Sequence, residues 1–328
     1  MTQNRRNFFR NAGATAAAAA LSPLLAGSAN ADGRHEGFIK QVLGARIFDL
    51  SHTWDENSPI ASVNPFYEMH LEATHQNTRG TFGDGTPGKL SFTSEVQHFS
   101  GQHGAPSIDA IGHIGRNGKL FGGVDAAQST SDPRGIGRDA AQTGAHLDIN
   151  HYPTELLVNR GVLLDVARFV NGNGAPLANN VNITGEMLAA TATHQGVRLK
   201  RGDTVLIRTG WAQYFTSSPA TYAGANSAGV GVDGARFLIK SGARVVGNDT
   251  LTFEFRPPVV GTFGQPDFEV FPVHMLLIPD NGINIIENYN LEEIATAKEY
   301  EFALVVPPLK IRGGTGSALR SFAMVARD

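Results

Sequence analysis

Short apolar runs of strand length recur at residues 45–50, 161–166, 204–209 and 243–247, and helical spacing at 184–193 and 232–241 precedes the last two. Strands alternating with helices can bury their apolar faces only in layers, helix against sheet, so the pattern predicts an α/β fold. A late strand at 300–306 runs into Pro307-Pro308 and a Gly-rich tail. Residues 275–277 and 283–286 flank a turn predicted at Pro279-Asp280-Asn281-Gly282. Residues 76–89 are polar and Gly-rich and read as an inserted mobile loop. There is no internal repeat and no clear linker, so one domain is the economical reading of residues 32–328.

The chain contains no cysteine, which excludes disulfides, thiolate nucleophiles and Cys-type zinc sites. Any metal must therefore sit on His, Asp or Glu. A net charge of −3, with no Lys/Arg run after the N-terminal segment, argues against nucleic acid or an anionic membrane as partner. With 38 glycines and 16 prolines the chain has many loops on which a site can be built.

Residues 1–31 read as a twin-arginine signal peptide. Arg5-Arg6 is followed by Phe8-Phe9-Arg10, then a soft Ala-rich run, then Ala29-Asn30-Ala31 as a small-x-small cleavage pattern. The Ala-rich run is too short to span a bilayer comfortably. The expected destination is the periplasm or the medium, with no membrane partner after cleavage.

Two clusters carry metal-competent side chains. His103, Asp109 and His113 fall within eleven residues, among Gly101, Gly104, Ala105, Ala110 and Gly112, which let the backbone bend closely around a centre. Imidazole and carboxylate are borderline metal ligands, and a second imidazole can move protons. The same scatter also fits a hydrogen-bonded surface cluster. Further on, His274 lies in an apolar, strand-like run, and Glu287 closes the run Gly282-Ile283-Asn284-Ile285-Ile286. A lone His there also fits a satisfied core residue, whereas a carboxylate ending a buried strand is costly unless paired or coordinated. Asn290 is a candidate cap for a short helix beginning near Leu291.

Taken together, these segments resemble the cyclase family that includes bacterial kynurenine formamidase and isatin hydrolase. His103, Asp109 and His113 match the first, third and last functional positions of its His-x-Gly-Thr-His-x-Asp-x-Pro-x-His signature. Asp49-Leu50-Ser51-His52 resembles its opening element, and Gly247-Asn248-Asp249-Thr250 its Gly-x-Asp-Thr/Ser turn. His274 and Glu287 resemble its second ligand pair, and residues 308–317 its Gly-rich C-terminal motif. Ser107 stands where the family has His or Gln, Pro106 where Thr or Ala is usual, and Ile111 in place of the signature's Pro.

The resemblance implies a swivelling β/β/α fold with a loop-borne metal site, and a homo-oligomer. It further implies that His103, Asp109, His274 and Glu287 hold one or two zinc or manganese ions. The substitution by Ser107 leaves one ion or two open, with His98 as a conceivable replacement ligand. The implied activity is hydrolysis of a small amide (an aryl formamide, lactam or cyclic imide) by metal-activated water, with His113 as general base. The alternative is a periplasmic small-molecule binding protein with a degenerate, non-catalytic site. Trp54, Phe66, Tyr67 and Trp211 are candidate aromatic lining. A Ser-His-Asp triad is disfavoured because Gly314-Thr315-Gly316-Ser317 lacks the strand–elbow–helix setting of such a nucleophile.

Overall fold

The computed structural model describes residues 25–61, 64–79, 90–102 and 104–327, with side chains from His35 onward. It divides into two units, residues 1–45 and 46–328. In the first, a helix runs over Leu25–Gly44, and the expected leader lies outside the described residues up to residue 24. Among the described residues, no helix is long and apolar enough to cross a membrane.

The second unit is built on a nine-stranded sheet. At its centre, Val158–Asp165, Thr204–Arg208, Val245–Asn248 and Asn284–Glu287 run parallel to one another. Antiparallel strands extend both sides: Glu301–Val305, Phe322–Val325 and Arg46–Asp49 on one, Ser107–Asp109 and Gly316–Ala318 on the other. Residues 45–50 differ from the expected buried strand. They form the edge of the sheet, where Phe48 is the one buried residue of Arg46–Asp49.

The period of two along each strand sorts the core into two layers. Val162, Leu164, Val205, Ile207, Val246 and Ile285 face the helices Gly185–Gln195, Val232–Ser241 and Pro272–Asn281, meeting Leu188, Leu238 and Leu277. Leu163, Leu206, Val245 and Ile286 face the other way and pack with Phe302, Leu304, Ala323 and Phe48 of the curled antiparallel strands. Each of these side chains larger than alanine contributes about 1.5–3 kcal/mol by leaving water. The parallel strands are apolar on both faces because both are covered, which explains why they stand out as continuous apolar runs.

Local signals set the helix ends. The Thr184 hydroxyl accepts from Met187 N–H to start its helix, and Gly196 in the left-handed region stops it. The apolar, strand-like run around His274 instead begins the helix Pro272–Asn281. Pro272 sits in the first turn, where its missing N–H costs nothing, and Gly282 at φ 64° ends the helix. The short helix near Leu291 spans Glu292–Thr296, and Asn290 accepts from Glu292 N–H at a long 3.4 Å.

One buried ion cluster fastens the parallel strands. Arg208 donates to Asp165 at 2.8 Å, to Glu292 through two bonds of 2.9 and 2.8 Å, and to the Gly174 carbonyl at 2.7 Å. Among the described residues, removing the guanidinium would leave buried Asp165 only Arg168, which donates through its Nε and backbone N–H, a loss of about 1.5–3 kcal/mol.

Candidate metal centre

Strand register explains how distant residues meet. Glu287 sits opposite Ser107, and Ile286 opposite Ile108, in the antiparallel ladder. Opposed residues point to the same face, and alternation puts Asp109 on that face too, diagonal to Glu287 and within reach of its side chain. This is the face covered by the helix Pro272–Asn281, and His274 projects from the helix's first turn toward the two carboxylates.

Asp109, His274 and Glu287 are all buried, and one ligand atom of each lies within 4.8 Å of the others. His274 Nε2 is 3.2 Å from Glu287 Oε1 and 3.9 Å from Asp109 Oδ2. His113, after a turn closed by its N–H on the Ala110 carbonyl, places Nε2 3.8 Å from Asp109 Oδ1. Its side chain is 34% exposed, so it stands on the open side of the cluster. His103 lies outside the described residues. Asp109, His274 and Glu287 come from two strands and a helix, where the site was expected on loops.

Glu254 was not singled out from the sequence. It is buried, and its Oε1 accepts from His274 Nδ1 at 2.5 Å. The same carboxylate accepts from the backbone N–H groups of Val273 and His274, both at 3.2 Å. It therefore caps a helix whose own cap residue, Phe271, supplies no side-chain bond, and it leaves His274 Nε2 turned to the carboxylates. The signal was present, because a carboxylate between Phe253 and Phe255 raises the same burial argument as Glu287. Arg256 carries no mark of the site in the sequence. It is half-buried, its Nε has no partner among the described residues, and burial pulls the guanidinium below its ordinary value against the charge of Glu287.

The electrostatics call for a cation. Burial pushes Glu287 up to about 7; the hydrogen bond from His274 opposes this, and the charges of Asp109 and Glu254 add to it. For His274, burial lowers the pKa, but the hydrogen bonds and charges of Glu254 and Glu287 outweigh it and hold the imidazole well above its ordinary value. Three carboxyl groups thus crowd one histidine in a buried pocket, a charge set that a bound cation would offset. Two carboxylate oxygens and one imidazole nitrogen are a donor set suited to zinc or manganese. The residues present fit a divalent cation.

Ser107 faces the same side as Asp109, but its hydroxyl donates to the Gln102 carbonyl at 2.5 Å. His98 ends the exposed strand Ser94–His98 and is not part of the cluster. The Gly-rich tail buttresses the Asp109 strand: Gly316 pairs with Asp109, and the Thr315 carbonyl accepts from Ala110 N–H. A Cβ at Gly316 would come within 2.8 Å of the Ile108 carbonyl oxygen, so the strands approach this closely only with glycine there.

The aromatic candidates divide. Trp54 and Tyr67 cluster with Phe99, with ring centroids 4.8 and 4.9 Å from Trp54. Phe66 is 67% exposed, and Trp211 is a core residue donating to the Tyr222 carbonyl. Asp249, in the Gly247–Thr250 turn, accepts from Thr209 N–H, Thr209 Oγ1 and Gly210 N–H. Burial pushes it up to about 6 against those bonds, and it serves to hold the adjoining turn.

The family model described as Cyclase matches residues 48–255, more than half of the chain. A solved structure described as a novel cyclase matches with a TM-score of 0.70 at 25% identity, covering 88% of this chain and 89% of that one. Isatin hydrolase A from Labrenzia aggregata, bound to benzyl benzoate, matches at 0.61 and 22% identity, covering 92% and 100%. Isatin hydrolase A from Ralstonia solanacearum matches at 0.60 and 18%, covering 94% and 100%. These two are alike in fold. No curated protein matches the chain significantly in sequence. On the family model and the shared architecture, the chain belongs to the cyclase family.

Proposed function

We propose that the chain is a metal-dependent hydrolase that cleaves a small amide, with Asp109, His274 and Glu287 holding a divalent cation and His113 moving the proton. The observation that carries this reading is the buried triad with His274 fixed by Glu254 and an exposed imidazole beside Asp109. A divalent cation supplies activation of water at neutral pH and polarisation of a carbonyl. Asp109 and Glu287 bring two oxygen donors whose charges it would offset, and His274 brings Nε2 because Nδ1 is engaged. His113 Nε2 takes one proton from the attacking water and returns it to the leaving nitrogen, giving an amine and a carboxylic acid that releases its own proton to solvent. Asp109 Oδ1 lies 3.8 Å from the imidazole that carries the proton between the two steps. His103 completes the proposed ligand set.

The names of the isatin hydrolases support a C–N substrate, a lactam or a related formamide or cyclic imide. The Arg5-Arg6 motif and Ala29-Asn30-Ala31 support export through the twin-arginine route to the periplasm or medium. A turnover panel of aryl formamides, lactams, cyclic imides and lactones tests the proposal. Hydrolysis of at least one C–N substrate is expected, falling at least about 100-fold on chelation and returning with zinc or manganese. Tight metal and ligand binding with no turnover of any member would instead make the chain a binding protein.

A further inference from the structure

A second cavity, of about 220 Å³, opens beside the strand that carries Asp109. None of Asp109, His113, Glu254, His274 or Glu287 lines it. Its floor is apolar, with Ala110, Leu147 and Ile149 all buried. Around it stand His146, His151, Tyr152 and Arg244.

Three of these, all exposed at the rim of the cavity, have donors that no described protein group takes. Among the described residues, the Arg244 guanidinium and the His146 imidazole make no hydrogen bond or ion pair. His151 is held through Nδ1 by Asp148 Oδ1 at 2.6 Å, which fixes the ring and leaves Nε2 free. Asp148 also lines the cavity, but its other oxygen is taken by Gly313 N–H at 2.6 Å. The Asp148 carboxylate is therefore spent on orienting the site and does not accept from an incoming group. Tyr152 holds the Leu156 carbonyl only at 3.4 Å.

A guanidinium fork and imidazole donors around one cavity match a carboxylate, which accepts two parallel hydrogen bonds. An apolar floor disfavours a fully hydrated inorganic anion and favours a ligand with an apolar body. The volume lies below the roughly 300–1,000 Å³ of sites for drug-sized molecules, which restricts the body to about one ring. We propose that this cavity is a second ligand site, separate from the metal centre, for a small organic carboxylate with an apolar body.

Calorimetric titration of the metal-loaded full chain with benzoate tests this, with acetate and inorganic phosphate as comparison arms. Saturable benzoate binding is expected, tighter than that of acetate or phosphate. Arg244→Ala should weaken it about 10- to 100-fold, the loss of a charge-assisted hydrogen bond. Because the Arg244 side chain has no partner to lose, the variant's thermal midpoint should be unchanged. Asp109→Ala, which disables the metal centre, should leave benzoate affinity intact; this separates the site from the proposed hydrolytic one. Loss of binding in Asp109→Ala with retention in Arg244→Ala would overturn the proposal, as would no benzoate binding. Phosphate binding as tightly as benzoate would overturn the carboxylate assignment.

Discussion

In His274→Ala, bound metal is expected to fall to background, and turnover of any C–N substrate with it. His274 Nε2 is the nitrogen of the buried triad, and without it Asp109 and Glu287 face each other with no imidazole between them. Burial already pushes Glu287 up to about 7, so the metal-free pocket favours a protonated carboxyl over a second charge. Glu254→Gln separates ligation from orientation. It keeps an oxygen to accept from His274 Nδ1 and His274 N–H, but loses the charge and the acceptor of Val273 N–H. Metal affinity should fall about 10- to 100-fold without vanishing, the usual effect of altering a carboxylate behind a ligating histidine. Metal titration with a competing chelator measures both. Unchanged affinity in His274→Ala would remove this residue from the ligand set.

His113→Ala should behave in the opposite way, retaining metal while turnover drops about 10²–10⁴-fold, the range for loss of a general base. The separation follows from position. His113 is 3.8 Å from Asp109 but a third exposed, outside the buried cluster, so its removal uncovers no core surface. Metal content and kcat measured on the same preparation decide the matter. Metal loss in this variant would make His113 a ligand. Full turnover with metal retained would mean that another group carries the proton.

The central strands were readable in the sequence because both faces are apolar. Residues 161–166 and 204–209 closely match Val158–Asp165 and Thr204–Arg208. His274 was misplaced on a strand for a related reason. From Val273 to Ile278 every residue but His274 is apolar, so the run has no helical stripe, and only Pro272 and Gly282 mark its ends. Asp109 and Glu287 were visible as chemistry, but what joins them is strand register, which no single segment reveals. Glu254 carries the same burial signal as Glu287, but its role in holding His274 depends on a helix that the apolar run conceals. Trp211 was named as pocket lining from residue type alone, whereas packing with Phe215 and Tyr222 makes it core.

The position of the metal tests the proposed centre most directly. Crystals of zinc- or manganese-loaded protein, measured above and below the metal's absorption edge, should show an anomalous peak between Asp109, His274 and Glu287. It should lie about 2.0–2.2 Å from His274 Nε2 and from at least one oxygen of each carboxylate. A peak confined to other residues, or fully loaded crystals with no peak among these three, would contradict the assignment of this site as the metal centre.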